Sequence, residues 1–228
     1  MDNIICVHWG TKYPVKFVNI LYSMCKREMT RPFNFYCLTD EVNNAFAERV
    51  KPIRIPDPQF DGWWNKMHLY DKRLEIEGNI LYMDLDVVIV NKLDDFFTQY
   101  LDDDFLCIRD FGQPTTTINS SVQRYNLKYH SFIYDDYMNN KSKYDGIHGD
   151  QNVITDMMLR HKMTRILPDD WTYSFKWPER GKPQKYEKYM PKKHPLKPDA
   201  KICVFHGHPN PDYAMQYESG EWIKQFWK

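Results

Sequence analysis

Residues 79–90 read Asn-Ile-Leu-Tyr-Met-Asp-Leu-Asp-Val-Val-Ile-Val. This is an apolar run broken by two carboxylates, Asp84 and Asp86. A run of this kind has to be buried, which ties the chain to a sheet covered on both faces. Side chains two apart on an extended strand point to the same face, so both acids reach one point in space. Two like charges at the end of a buried strand cost free energy unless a cation or protons neutralise them. The pair is therefore either a divalent-metal site or an acid/base pair.

The segments before it alternate in type. Residues 4–7 form a short apolar strand, followed by a loop over 8–13 and then Pro14, which suits a first helical turn. Val15, Val18, Leu21, Tyr22 and Cys25 give that helix one apolar face. Residues 33–38 are a second strand, with Thr39 and Asp40 placed to cap a short helix, and 53–55 a third. A helical pattern over 63–75 ends near Gly78. Alternation of this kind predicts an α/β fold, a mostly parallel sheet flanked by helices. Ligands bind such sheets at the carboxyl ends of the strands. Both the 8–13 loop and the Asp84/Asp86 pair fall there. The second half is more mixed. Strands are expected over 104–108, 117–125 and 201–205. A helix over 150–160 should be capped by Asp150, and a Trp- and Phe-rich helix should close the chain over 212–228.

The 228 residues carry no net charge, so no electrostatic pull toward nucleic acid is expected. Aromatics make up 16% of the chain, enough both to fill a core and to stack on sugars or bases. Five scattered cysteines without a Cys-x-x-Cys disfavour a disulfide framework or a zinc site and favour a reducing, cytoplasmic setting. No leader pattern is visible, and no apolar run approaches the ~20 residues of a membrane span. Residues 176–201 hold nine Lys/Arg against three Asp/Glu. They read as a solvated loop, or as a basic rim for a phosphate-bearing ligand or a peripheral anionic surface.

If the carboxylates hold a hard cation, two of them do not fill its shell, and a nucleotide diphosphate would supply further oxygens. His206, ending the late strand, is the best third ligand, since imidazole suits manganese-type ions. With these residues in place the chain resembles glycosyltransferases of the GT-A type, close to family 8, which includes glycogenin and bacterial galactosyltransferases. Tyr13 ends the loop where that family seats base and ribose. Lys66, in Gly62-Trp63-Trp64-Asn65-Lys66, precedes the metal motif at the family's spacing. Asn119-Ser120-Ser121 resembles its Asn-Ser-Gly strand, Asp150-Gln151 its Asp-Gln pair, and Phe205-His206-Gly207 its C-terminal metal histidine. The family's C-terminal motif also carries a diphosphate lysine. Here the segment reads His206-Gly207-His208-Pro209-Asn210-Pro211, leaving His208, Lys201 or a lysine of the basic loop for that role.

The resemblance implies a GT-A-like domain over 1–228, with a nucleotide-binding half (1–90), a donor-sugar and acceptor half (91–210) and a C-terminal helix. It implies transfer of a sugar from a nucleotide-sugar, most often a UDP-sugar, with retention. Asp84, Asp86 and His206 would hold Mn2+ or Mg2+. Val7, His8, Trp9, Tyr13, Lys66, Asp84, Leu85, Asn119, Ser120, Gln151, Gly207 and His208 would contact the donor. Gln151, Asp150 and Lys66 would serve the reacting centre. The acceptor would be a saccharide, a lipid-linked group or a protein. Two alternatives stand beside this: a nucleotide-sugar binding module without turnover, and a haloacid-dehalogenase-like phosphatase with Asp84 as nucleophile. The phosphatase motif normally follows the first strand of its sheet.

Overall fold

The computed structural model describes residues 1–112, 117–144, 146–147, 149–161, 164–177 and 196–228. Strands β1 (Asp2–His8), β2 (Phe33–Thr39), β3 (Val50–Arg54), β4 (Asn79–Met83), β6 (Phe105–Arg109), β7 (Ile118–Asn126) and β8 (Thr164–Ile166) form one sheet in the order β3-β2-β1-β4-β7-β6-β8. The run β3-β2-β1-β4 is parallel, β7 is antiparallel to both of its neighbours, and β8 is parallel to β6. This is the mostly parallel α/β sheet expected from the alternation of elements.

The sheet is covered on both faces, and period-two sorting assigns each side chain to one of them. Ile4, Cys6, Leu81 and Met83 pack into one core with the helix Lys16–Glu28. Ile5, Val7, Ile80 and Tyr82 pack into the other, with the helices Phe132–Asn139 and Asp150–His161. All five cysteines are buried and free. Among the described residues no helix is long and apolar enough to cross a membrane.

Residues 79–90 are not one strand. β4 ends at Met83, and Val87–Ile89 is β5, which belongs to a second sheet with β9 (Thr172–Ser174) and β10 (Ile202–Val204), in the order β5-β10-β9. Asp84-Leu85-Asp86 is the crossing between sheets. The Asp84 N–H still bonds to Ser121 O beside β4 (2.9 Å), while Asp86 O accepts from Phe205 N (3.2 Å). A continuous apolar run cannot distinguish one long strand from two short ones buried in different sheets.

Smaller corrections follow the same logic. β3 starts earlier than expected, and Pro52 is tolerated because β3 is an edge strand. No helix follows Thr39. Instead Asp40 Oδ2 accepts the Gly10 N–H (2.9 Å). The 63–75 helix is two 3-10 segments, Gly62–Tyr70 and Lys72–Leu74, where Asn65 binds both N and O of Phe60 (3.1 and 2.7 Å). The tail is three short turns, Pro211–Ala214, Glu218–Gly220 and Ile223–Phe226, rather than one helix.

His130 is fully buried at the end of the short helix Leu127–His130 that follows β7, and it bonds to the Asn126 backbone. Burial lowers its pKa to about 4. The unfolded chain takes up this proton near pH ~6.5, so between there and about 4 it binds more protons than the fold. Stability is therefore lost as pH falls through that window, by on the order of 3 kcal/mol at the low end. Urea unfolding between pH 7 and pH 4 should show this slope, and His130→Asn should reduce it by His130's share.

Candidate active site

The site lies where strand ends from both sheets meet. β1 ends at His8, β4 at Met83, β6 at Arg109, β9 at Ser174 and β10 at Val204. β7 runs the other way, so its first residues, Asn119 to Ser121, lie beside the end of β4. A cavity of about 610 Å3 opens there. Of the expected residues it is lined by Val7, His8, Trp9, Tyr13, Lys66, Asp84, Leu85, Asp86, Asp150, His206 and Gly207. Lys12, Gly62, Trp63 and Tyr82 complete its wall. Trp63 is exposed on the cavity, whereas Trp64 turns inward to stack on Tyr137 (5.4 Å). That divides the two tryptophans between cavity wall and core.

Lys66 is the central cation. Its Nζ lies 2.7 Å from Asp84 Oδ1 and 3.8 Å from Asp150 Oδ2. Among the described residues Asp150 Oδ2 is buried without a hydrogen bond, and the ion pair with Lys66 faces it. Burial alone would lower the Lys66 pKa, but Asp150 and Asp84 outweigh it and hold the amine above its ordinary value. Burial also works against the charge on Asp84, but Lys66 and the Tyr82 hydroxyl, which donates to Oδ1, hold this carboxyl below its usual range. Asp86 goes the other way, raised by burial and by the negative charge of Asp84. Its Oδ2 accepts from Tyr13 O–H (2.9 Å) and from Gly207 N–H (2.6 Å). Tyr13 is thus tied to Asp86 by its hydroxyl, while its carbonyl faces His8 Nε2 (2.9 Å).

Asp150 is the first residue of its helix rather than the residue before it, with Gly149 at φ +84° making the turn. Asn119, Ser120 and Gln151 sit beside the cavity and not in its wall. Their job in the fold is visible in the pairing of β6 and β7. Cys107 faces Gln123 but Ile108 faces Asn119, so residues 120–122 bulge out of register. The bulged backbone is satisfied by side-chain amides. Ser121 N bonds to Asn119 Oδ1 (3.0 Å), Ser120 N to Gln151 Oε1 (3.3 Å), and Ser120 O accepts from Gln123 Nε2 (3.2 Å). Gln151 Nε2 then donates to Asp110 Oδ2 (2.9 Å). Asp110 had no motif to mark it in the sequence. Its place at the end of β6 is the only signal, and that needs the sheet order.

His206 takes a left-handed backbone, φ +54°, and Gly207 follows at φ +82°. Left-handed geometry disfavours a non-glycine residue by about 1–2 kcal/mol. Here it turns the Gly207 N–H onto Asp86. The His206 ring faces Asn119 Nδ2 through Nδ1 (3.4 Å) and Ser174 Oγ through Nε2 (3.1 Å), and burial lowers its pKa to about 4. Among the described residues no three His, Cys, Asp or Glu are close enough to hold an ion together. The carboxylate pair still suits a hard cation: Asp86 is held at a cost that positive charge would relieve, and its described bonds fall on one oxygen. His206 fits less directly, since each ring nitrogen already faces a partner. His208 does not line the cavity and packs 4.7 Å from Tyr213. Residues 178–195, most of the basic segment, lie outside the described residues, as do His148 and His194.

No protein-family model matches this chain, and no curated protein sequence does. Solved structures resemble it. An active-site mutant of LgtC aligns with a TM-score of 0.70 over 98% of this chain and 94% of that one, at 12% identity. The glycosyltransferase GlyE of Streptococcus pneumoniae TIGR4 aligns at 0.67 over 92% of this chain but only 56% of its own, at 14% identity. The galactosyltransferase LgtC in complex with donor and acceptor sugar analogues aligns at 0.65, at 11% identity. The chain has the GT-A-like fold of these glycosyltransferases. In that fold the aspartates follow β4, whereas the first strand ends in His8, which removes the positional basis of the phosphatase alternative.

Lys66→Met should leave Asp84 and Asp150 facing each other without a counterion, at a cost on the order of 3 kcal/mol. Lys66→Met combined with Asp84→Asn should recover part of that loss. A double-mutant cycle on urea midpoints measures the coupling, and strict additivity would show that the pair is not coupled.

Proposed function

We propose that this protein is a metal-dependent glycosyltransferase. It moves a sugar from a nucleotide-sugar donor, a UDP-sugar, to a saccharide, lipid-linked or protein acceptor with retention of configuration. One observation carries the reading: the Lys66–Asp84–Asp86 array opens into a 610 Å3 cavity at the carboxyl ends of the strands. Supporting it, LgtC and GlyE share the fold, and LgtC has been captured with donor and acceptor sugar analogues.

In this reading Asp84 and Asp86 would hold Mn2+ or Mg2+, and His206 would be a third ligand only through a ring nitrogen that now faces Asn119 or Ser174. When bound, the ion stabilises the charge that builds on the departing diphosphate. Lys66 keeps Asp84 ionised and presents a second positive charge to the donor. Val7, His8, Trp9, Tyr13 and Leu85 border the nucleotide. Asp150, Asn119, Ser120 and Gln151 orient the sugar. Gln151 is held from two sides, by Ser120 and Asp110, which fixes its amide for that role. An amide is a poor nucleophile, so the acceptor oxygen attacks from the face the diphosphate leaves. The new bond forms to the anomeric carbon as the carbon–oxygen bond to phosphate breaks, and the acceptor's proton passes to the departing phosphate oxygen.

Thermal melts with a panel of nucleotide sugars should show a rise with a UDP-sugar plus Mn2+, since bound ligand stabilises the fold. Asp86→Ala or EDTA should then lower turnover by about 100-fold or more. Full activity in EDTA would remove the metal from the reaction. Asp110→Ala should release Gln151 and lower kcat by about tenfold to a hundredfold, with UDP affinity unchanged. Kinetics and calorimetry on the same preparation separate these two effects.

A further inference from the structure

The segment after His206 lacks the lysine that the resemblance places on the diphosphate, and two of the three expected substitutes, His208 and Lys201, do not reach the cavity; Lys176 belongs to the third, the basic segment. His208 packs on Tyr213 outside the cavity. Lys201 lies just before β10, at its other end, where Nζ bonds to Asp95 Oδ2 (2.6 Å) and Lys92 O (3.0 Å).

Two lysines bear on this role: Lys12 is in the cavity wall, and Lys176 is not in the wall but bonds to the lining residue His206. Lys12 lines the cavity, with its Nζ 5.0 Å from the ring of Tyr13, the residue that bonds to Asp86. Lys176 comes from the turn after β9. Its backbone N–H and that of Trp177 both donate to Ser174 Oγ (3.1 and 3.0 Å), which fixes the turn. The Lys176 amine then reaches across to donate to His206 O at 2.7 Å, and Trp177 stacks on the His206 ring at 5.6 Å. Lys176 is half-buried, and burial lowers its pKa to about 8 against the opposing charge of Asp86.

The charges sort into two layers. Asp84, Asp86 and Asp150 face Lys66, which leaves an excess of two negative charges, the charge of one divalent cation. His206 adds none at neutral pH. Lys12 and Lys176 remain, with no ion pair among the described residues, one in the cavity wall by Tyr13 and the other on the carbonyl of the lining residue His206. An anion bound between Tyr13 and the His206 turn would give both amines a counterion.

We infer that Lys12 and Lys176 together clamp the donor's diphosphate, supplying from the β1 loop and the β9 turn the cation missing after His206. This rests on the donor site proposed above. The competing account of Lys176 is a plain cap on the His206 carbonyl, which would affect folding but not discriminate among nucleotides.

Calorimetry with UDP and UMP, in Mn2+, decides between them. Lys12→Met and Lys176→Met should each weaken UDP binding by about tenfold, the scale of one charge-assisted hydrogen bond. UMP binding should change much less, so the UDP-to-UMP affinity ratio falls. Lys176→Arg should keep most of the ratio. Lys12 is exposed, so Lys12→Met tests the clamp even if Lys176→Met fails to fold. Should the wild type bind UDP while Lys12→Met and every foldable Lys176 variant keep its UDP-to-UMP ratio, the clamp is refuted and the donor site stands. Should the wild type bind neither nucleotide, the donor site itself falls and the clamp falls with it.

Discussion

The ion pair between Lys66 and Asp84 is the contact on which the rest of the site depends. It joins the 3-10 helix Gly62–Tyr70 to the crossing between the two sheets and lies within reach of the first residue of the helix Asp150–His161. Three carboxylates line one cavity, and this amine is the positive charge that lets Asp84 stay ionised beside Asp86. It also sets the difference between the two aspartates. One is held low by its counterion. The other is left raised, which gives the cavity an unspent preference for added positive charge.

Around that pair, groups with a structural duty are the same groups that the proposed reaction needs. The bulge in β7 frees backbone N–H groups, and Asn119 and Gln151 occupy them. Their amides are therefore fixed before any ligand arrives. An amide retains hydrogen-bonding capacity after one bond at each end, so the two duties do not exclude each other. The left-handed turn at His206 and Gly207 works similarly. It costs backbone strain and in return points a backbone donor at Asp86.

Part of this was legible in the chain. Strand–helix alternation over the first ~90 residues fixes a covered, mostly parallel sheet, because apolar runs with no polar face have to be buried twice. Asp84, Asp86, Lys66, Tyr13, Asp150 and His206 were all marked by sequence and all line one cavity. What was misread is where local pattern is silent. The run through Asp84 is two strands, since burial in either sheet selects the same apolar residues. The helix over 63–75 became 3-10 because Asn65 bonds locally to Phe60, a contact that periodicity does not report.

The sequence by itself determined the composition of the site: which residue types, in which order, can gather at the carboxyl ends of strands. Strand order and handed turns decided the rest. Only the antiparallel insertion of β7 beside β4 brings Asn119 to the aspartates, and only the pairing of β9 with β10 carries Lys176 to the His206 carbonyl. Contacts between residues as distant in sequence as 176 and 206, or 84 and 121, depend on long-range register. No local propensity encodes that register.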